Sequence, residues 1–91
     1  MNKTRGEVAI EIDGELYRLC LTLGALAELE AAFACESLAD LHVRLRRLSA
    51  SEMRQVVGIL LCDTDAHDIV DGVMPSEAAR AIGEAFHAAL G

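Results

Sequence analysis

The sequence predicts an α+β fold: an N-terminal antiparallel β-hairpin followed by about four amphipathic helices, with helix in the majority. Three observations carry this. Between Gly6 and Leu21, apolar and polar residues alternate on both sides of Asp13-Gly14, which is the period and the turn chemistry of a two-residue hairpin. From Thr22 onward the apolar spacing changes to three and four, the repeat of a helix face. Helix punctuation then recurs, with Thr22, Ser37 and Ser49 placed to accept from first-turn amides and Pro75 where no amide is needed.

Residues 1–5 are polar and basic and are expected to be disordered. In the hairpin, residues 6–21, the two-residue turn pairs Ile12 with Glu15, Ile10 with Tyr17 and Val8 with Leu19. That register collects one apolar face, leaving Leu16, Arg18 and Cys20 on the other. A lone hairpin is marginal in water, so this face must be covered. The helix expected from Leu23 to Ala34 is the nearest cover, with Leu23, Leu26, Leu29 and Phe33 on its stripe and Gly24 allowing close approach to the hairpin.

After a break at Cys35-Glu36, Ser37 caps a second helix whose Leu38, Leu41, Leu45 and Leu48 keep a 3-4-3 spacing. Arg44, Arg46 and Arg47 stand mostly on its other faces, near a C-terminus where cations are favoured. Ser49-Ala50-Ser51-Glu52 has the form of a capping box. The third helix it opens carries Met53, Val56, Val57, Leu60 and Leu61 and is expected to be central, with Gly58 at a close crossing. Residues 63–74 read as a loop in which Ile69 and Val70 turn inward or form a short helical turn. Pro75 opens a last helix with Ile82, Phe86, Ala89 and Leu90 along one stripe.

Ninety-one residues make a single domain, 1–91, which buries roughly 60–65% of its unfolded surface, so the core is small. With one Tyr, two Phe and no Trp, that core must be aliphatic. The net charge of −7 argues against phosphate-backbone binding, whose affinity comes from many cations. A protein partner is the better expectation, and nucleic acid and membrane are not expected. Behind the charged start there is no apolar signal-peptide core. The longest apolar run, Val56 to Cys62, falls far short of the roughly 20 residues a bilayer needs, so a soluble cytoplasmic protein is expected.

Cys20, Cys35 and Cys62 are odd in number and widely spaced, which suggests neither a disulfide framework nor a zinc site. Cys20 and Cys62 read as small hydrophobes in a reducing cytoplasm, and Cys35 as the most exposed of the three. Asp63, Asp65, His67, Asp68 and Asp71 form the densest group of potential ligands. Counted from Asp63, however, the chain has Asp68 and Met74 where a calcium loop requires Gly and Glu, so no calcium or zinc site is expected. His42, His67 and His87 are scattered, no glycine pattern suits a phosphate, and no nucleophile has its base in a recognisable motif. Neither catalysis nor a cofactor is expected.

GEVAIEIDGELYRLCLTLGALAELEAAF, followed by ESLADLHVRL, resembles the small tail proteins of gene transfer agents and related tailed phages. Gly6-Glu7, Asp13-Gly14 with Tyr17 and Leu19, the block Thr22 to Leu26 with Leu29-Glu30, and Ser37-Leu38 with Leu41 and Arg44-Leu45 carry the likeness. Downstream of Ser49 it is general only. The resemblance implies a non-enzymatic role in tail morphogenesis, as a tail assembly chaperone for the tape measure and major tail tube proteins or as a tube-associated component of the particle. The shortage of β structure favours the chaperone. A small adaptor or regulatory module has a similar composition and is separated by gene neighbourhood.

Four amphipathic helices cannot all bury their stripes against one hairpin. Part of an aliphatic face should therefore remain open, on Leu38, Leu41, Leu45 and Leu48 or on Ile82, Phe86 and Leu90. Such a face would serve self-association or a helical partner, with Arg44, Arg46 and Arg47 selecting acidic neighbours.

Overall fold

A computed structural model describes residues 7–62 and 69–90, with the side chain of Leu90 excepted. Two strands, β1 (Glu7–Ile12) and β2 (Glu15–Cys20), precede four helices, α1 (Leu23–Ala32), α2 (Leu38–Leu45), α3 (Ala50–Leu60) and α4 (Pro75–Leu90). The expectation for residues 1–5 and most of the acidic segment lie outside the described residues.

The hairpin has the register its turn dictates: Ile12 opposite Glu15, Ile10 opposite Tyr17 and Val8 opposite Leu19. Asp13 at φ 54° and Gly14 at φ 86° supply the two positive angles of a type I′ turn. Val8, Ile10, Ile12 and Leu19 are buried and Tyr17 packs half-buried beside them, while Leu16 is 74% exposed on the opposite face.

The cover of that face differs from the expectation. α4 is the helix packed against β1, α3 and α4 both reach β2, and α1 packs instead on α3 and α2. The 16-residue α4, the longest helix, can lie along the strands with Ala78, Ala81, Ile82 and Ala85 buried. Its small alanines let the two backbones come close. α1 turns Ala25, Leu26 and Leu29 inward, and Leu23, in its first turn, is 81% exposed. Gly24 is likewise exposed, and a Cβ there would meet only the Thr22 hydroxyl at 3.8 Å, so no close approach requires it.

Capping follows the side-chain chemistry. The Thr22 hydroxyl accepts from the Ala25 amide at 3.0 Å, and that of Ser37 accepts from the Asp40 amide at 3.1 Å. Ser49 and Glu52 complete the reciprocal capping box. α1 ends two residues before the expected Ala34, because the chain closes in a Schellman turn. The Ala34 amide donates to the Ala31 carbonyl and the Cys35 amide to the Glu30 carbonyl, with Ala34 itself at φ 54°. α3 is central, touching α1, α4 and β2, with Val56, Val57 and Leu60 buried. Residues 69–72 form one 3₁₀ turn that tucks Val70 into the core.

Both edges of the hairpin are occupied. On β1, the Arg80 guanidinium donates to the Ala9 carbonyl at 3.0 Å, and the Glu11 amide donates to the Glu77 carboxylate at 3.0 Å. On β2, Leu19 bridges Leu61 in antiparallel fashion and the Cys62 amide donates to the Arg18 carbonyl at 3.0 Å. Unpaired strand edges invite pairing with other chains, and these contacts occupy the Ala9 to Glu11 stretch of one edge and the Arg18 to Leu19 stretch of the other.

Beside that second edge Cys20 and Cys62 are joined by a disulfide, their Cα atoms 5.7 Å apart. This corrects the reading of the two as unpaired small hydrophobes. They lie 42 residues apart, and only the return of the chain past α3 brings them together. Cys35 is the free cysteine among the described residues and, like Cys20 and Cys62, is of intermediate burial.

The β1 edge also responds to pH. The Arg80 guanidinium, and after it the Glu11 amide, hold the Glu77 carboxyl down to about 2 from an ordinary 4.5. Glu77 and Glu84 together raise Arg80 further above its usual range. A carboxylate depressed on folding stabilises fully above its unfolded value and loses that contribution as pH falls toward the folded one. The melting temperature should therefore fall as pH drops from 4.5 toward 2, and Glu77→Gln should flatten part of the fall. Superimposable pH profiles for the two proteins would refute the assignment.

Candidate partner-binding groove

The C-terminal end of α2, the start of α3 and the outer side of α4 enclose an open groove of about 500 Å³. Leu45, Leu48, Met53, Ile82 and Phe86 supply its apolar walls. Ala79 and Gly83, one helical turn apart on α4, form its shallow side, and a Cβ built on Gly83 meets nothing within 4 Å. His42, Arg46 and His87 provide its polar groups.

The sequence-predicted residues divide here. Leu45, Leu48, Ile82 and Phe86 come together in the groove although they belong to different segments, and Arg46 joins them. Leu48 stands beyond the end of α2, so its helical spacing is continued by the turn into α3 rather than by helix. Leu41 is not available: it is fully buried and is the residue that anchors α2 to the core. Leu38 is 42% exposed at the start of α2 and does not line the groove. Arg47 is exposed nearby, and the Leu90 side chain lies outside the described residues.

Arg44 must be reassigned. Its guanidinium is ion-paired with Glu52, donates to the Arg47 carbonyl at 3.0 Å and lies 5.3 Å from the centre of the Phe33 ring. Glu52 thereby closes the α3 cap and clamps α2 at once. Its carboxyl is held below the ordinary range, first by the Ser49 amide and then by Arg44. Arg44 thus fixes one wall of the groove from behind and has no free charge for a partner.

Sequence reasoning missed His42, Met53, Ala79, Gly83 and His87 as lining residues. A signal existed for three of them. Ala79, Gly83, Phe86 and His87 recur at helical spacing on α4, but small residues read as neutral surface until a wall stands opposite them.

The groove sets few polar groups among apolar walls. Its polar groups are two imidazoles and a guanidinium, and no carboxylate lines it. Among the described residues no group of three or more His, Cys, Asp or Glu is gathered closely enough to hold a metal ion. Asp71, the described member of the acidic segment, pairs with Arg54 at 3.0 Å. No described helix is long and apolar enough to cross a membrane.

The family model described as phage tail tube protein, GTA-gp10, matches residues 5–91. The chain belongs to that family. The match runs past Ser49, where the resemblance in sequence was general, and through the acidic segment to the last residue. As a phage tail-related protein, the molecule is expected to act through contacts with other proteins of the tail. Comparison with curated proteins and with solved structures finds no match.

Proposed function

We propose that this tail protein is a non-enzymatic tail assembly chaperone, a single domain over residues 1–91 that holds a helical segment of the tape measure protein in its groove while the major tail tube protein assembles. The observation that carries this reading over a tube-ring subunit is that both hairpin edges are partly occupied from within the domain. A ring built by strand addition needs a free edge, whereas here Glu77 and Arg80 occupy one edge and Leu61 and Cys62 the other. The open apolar groove supplies the complementary half of the argument, since a helix laid into it would cover Leu45, Leu48, Ile82 and Phe86. On this reading the protein acts in the host cytoplasm, with no cofactor, nucleic acid or membrane involved.

Co-expression with the tape measure and tail tube proteins, followed by pull-down and mass measurement, tests the proposal. A stable complex with the tape measure, reduced by Phe86→Asp, is the expected result. A strictly monomeric protein that retains neither partner at low and moderate salt would sink it.

One observation favours a second reading, a structural component of the particle. Disulfides persist in oxidising surroundings, outside a reducing cytoplasm, and this chain has one between Cys20 and Cys62. Mass spectrometry of purified particles separates the two readings, because a chaperone would be absent from them.

A further inference from the structure

We infer that the groove selects an amphipathic helix whose apolar anchors are flanked by acidic residues. The inference deepens the docking role proposed above and rests on it. Its basis is the distribution of charge. Of the arginines in the described residues, Arg18, Arg44, Arg54 and Arg80 are each paired with a carboxylate, with Glu7, Glu52, Asp71, and Glu77 and Glu84 respectively. Arg46 and Arg47 are the two without a carboxylate partner among the described residues, and Arg46 lies within the groove's lining.

With 15 acidic residues against 8 Lys and Arg, intramolecular partners for a cation are plentiful in this chain. The groove nevertheless gathers Arg46, His42 and His87 and no carboxylate. Glu84, the nearest acidic residue of α4 in sequence, is engaged by Arg80 at 2.8 Å. The formal charge in the groove lining is thus the single Arg46 guanidinium, which favours an acidic group on a ligand beside it over a basic one.

The apolar geometry identifies the ligand as a helix. Ala79 and Gly83 at i and i+4 leave α4 without side-chain bulk along one stripe, so a second helix axis can approach it closely. Leu45, Leu48, Met53 and Phe86 then stand on either side to receive anchors at i, i+3 or i+4 and i+7. A basic helix is repelled by Arg46, and an uncharged one leaves it unpaired.

Three synthetic peptides of equal length and equal apolar anchors, flanked by Glu, by Gln or by Lys, test the inference by fluorescence anisotropy against the full chain. The Glu-flanked peptide should bind tightest, roughly tenfold more tightly than the Lys-flanked one, because one exposed attraction is gained and one repulsion avoided. Rising salt should narrow that gap. Arg46→Glu should reverse the order. Gly83→Trp, which fills open space on an exposed helix face, should weaken all three while circular dichroism shows the fold intact. Equal affinity of the three peptides would overturn the charge selection and leave the docking role standing. Binding unaffected by Gly83→Trp, or a dimer of the chain itself that Gly83→Trp dissociates, would remove the groove as the site for a foreign helix. A pull-down that fails while the peptides bind as stated would reject the chaperone reading alone.

Discussion

Reducing the Cys20–Cys62 disulfide is expected to lower the unfolding free energy by about 4 kcal/mol, the chain-entropy value for a cross-link spanning 42 residues. The bond joins the end of β2 to the residue after the Leu19–Leu61 bridge, so it encloses α1, α2 and α3 in one loop. Opening it leaves the folded contacts in place and frees the unfolded chain. For a domain of this length, whose total stability is on the order of 5–14 kcal/mol, that is a large fraction. Urea titration with and without reductant measures it directly. A Cys20→Ala, Cys62→Ala double variant should match the reduced protein and no longer respond to reductant. A midpoint unchanged by reduction would show that the cross-link contributes nothing in solution. On the particle reading proposed above, the same difference separates the chain during assembly from the chain in a finished tail.

That bond also marks the boundary of what the sequence discloses. Features set by neighbours in sequence were legible. The Asp13-Gly14 turn fixed the strand register, Thr22, Ser37 and Ser49 named the helix starts, and Pro75 placed the first turn of α4. Features set by the return of the chain were not. The Glu77 and Arg80 contacts with β1 span 66 and 71 residues, and nothing local distinguishes them from solvated surface charges. Arg44 misled for a related reason: three arginines near one helix end look equivalent until Glu52 and Phe33 are brought to one of them. The groove was half visible. Its anchors repeat at helical spacing, but the sequence does not say that the stripe of α2 and the stripe of α4 face one space, nor that Leu41 belongs to the core.

Leu41 is the point at which stability and binding meet, and Leu41→Ala should cost about 2–5 kcal/mol of local or global stability. It is fully buried and is the single buried side chain of α2, whose other apolar residues are half-buried or exposed. Eight residues are too few to stay helical in water on propensity alone, so α2 depends on this anchor, its Ser37 cap and the Arg44–Glu52 pair. A part-buried ion pair near the surface contributes only modestly by itself. Truncating Leu41 therefore releases α2 before the rest of the domain, and with it the wall of the groove that carries Leu45 and Arg46. Amide hydrogen exchange should report this as lost protection across residues 38–45, while α3 and the hairpin keep theirs. Peptide binding to the groove should fall together with that protection, although Leu41 does not line the groove. Leu38→Ala is the matched control: it removes a 42% exposed side chain of the same helix and should change neither readout appreciably. If protection across 38–45 and groove binding both survive Leu41→Ala, the anchor lies elsewhere and the coupling between core and groove is wrong.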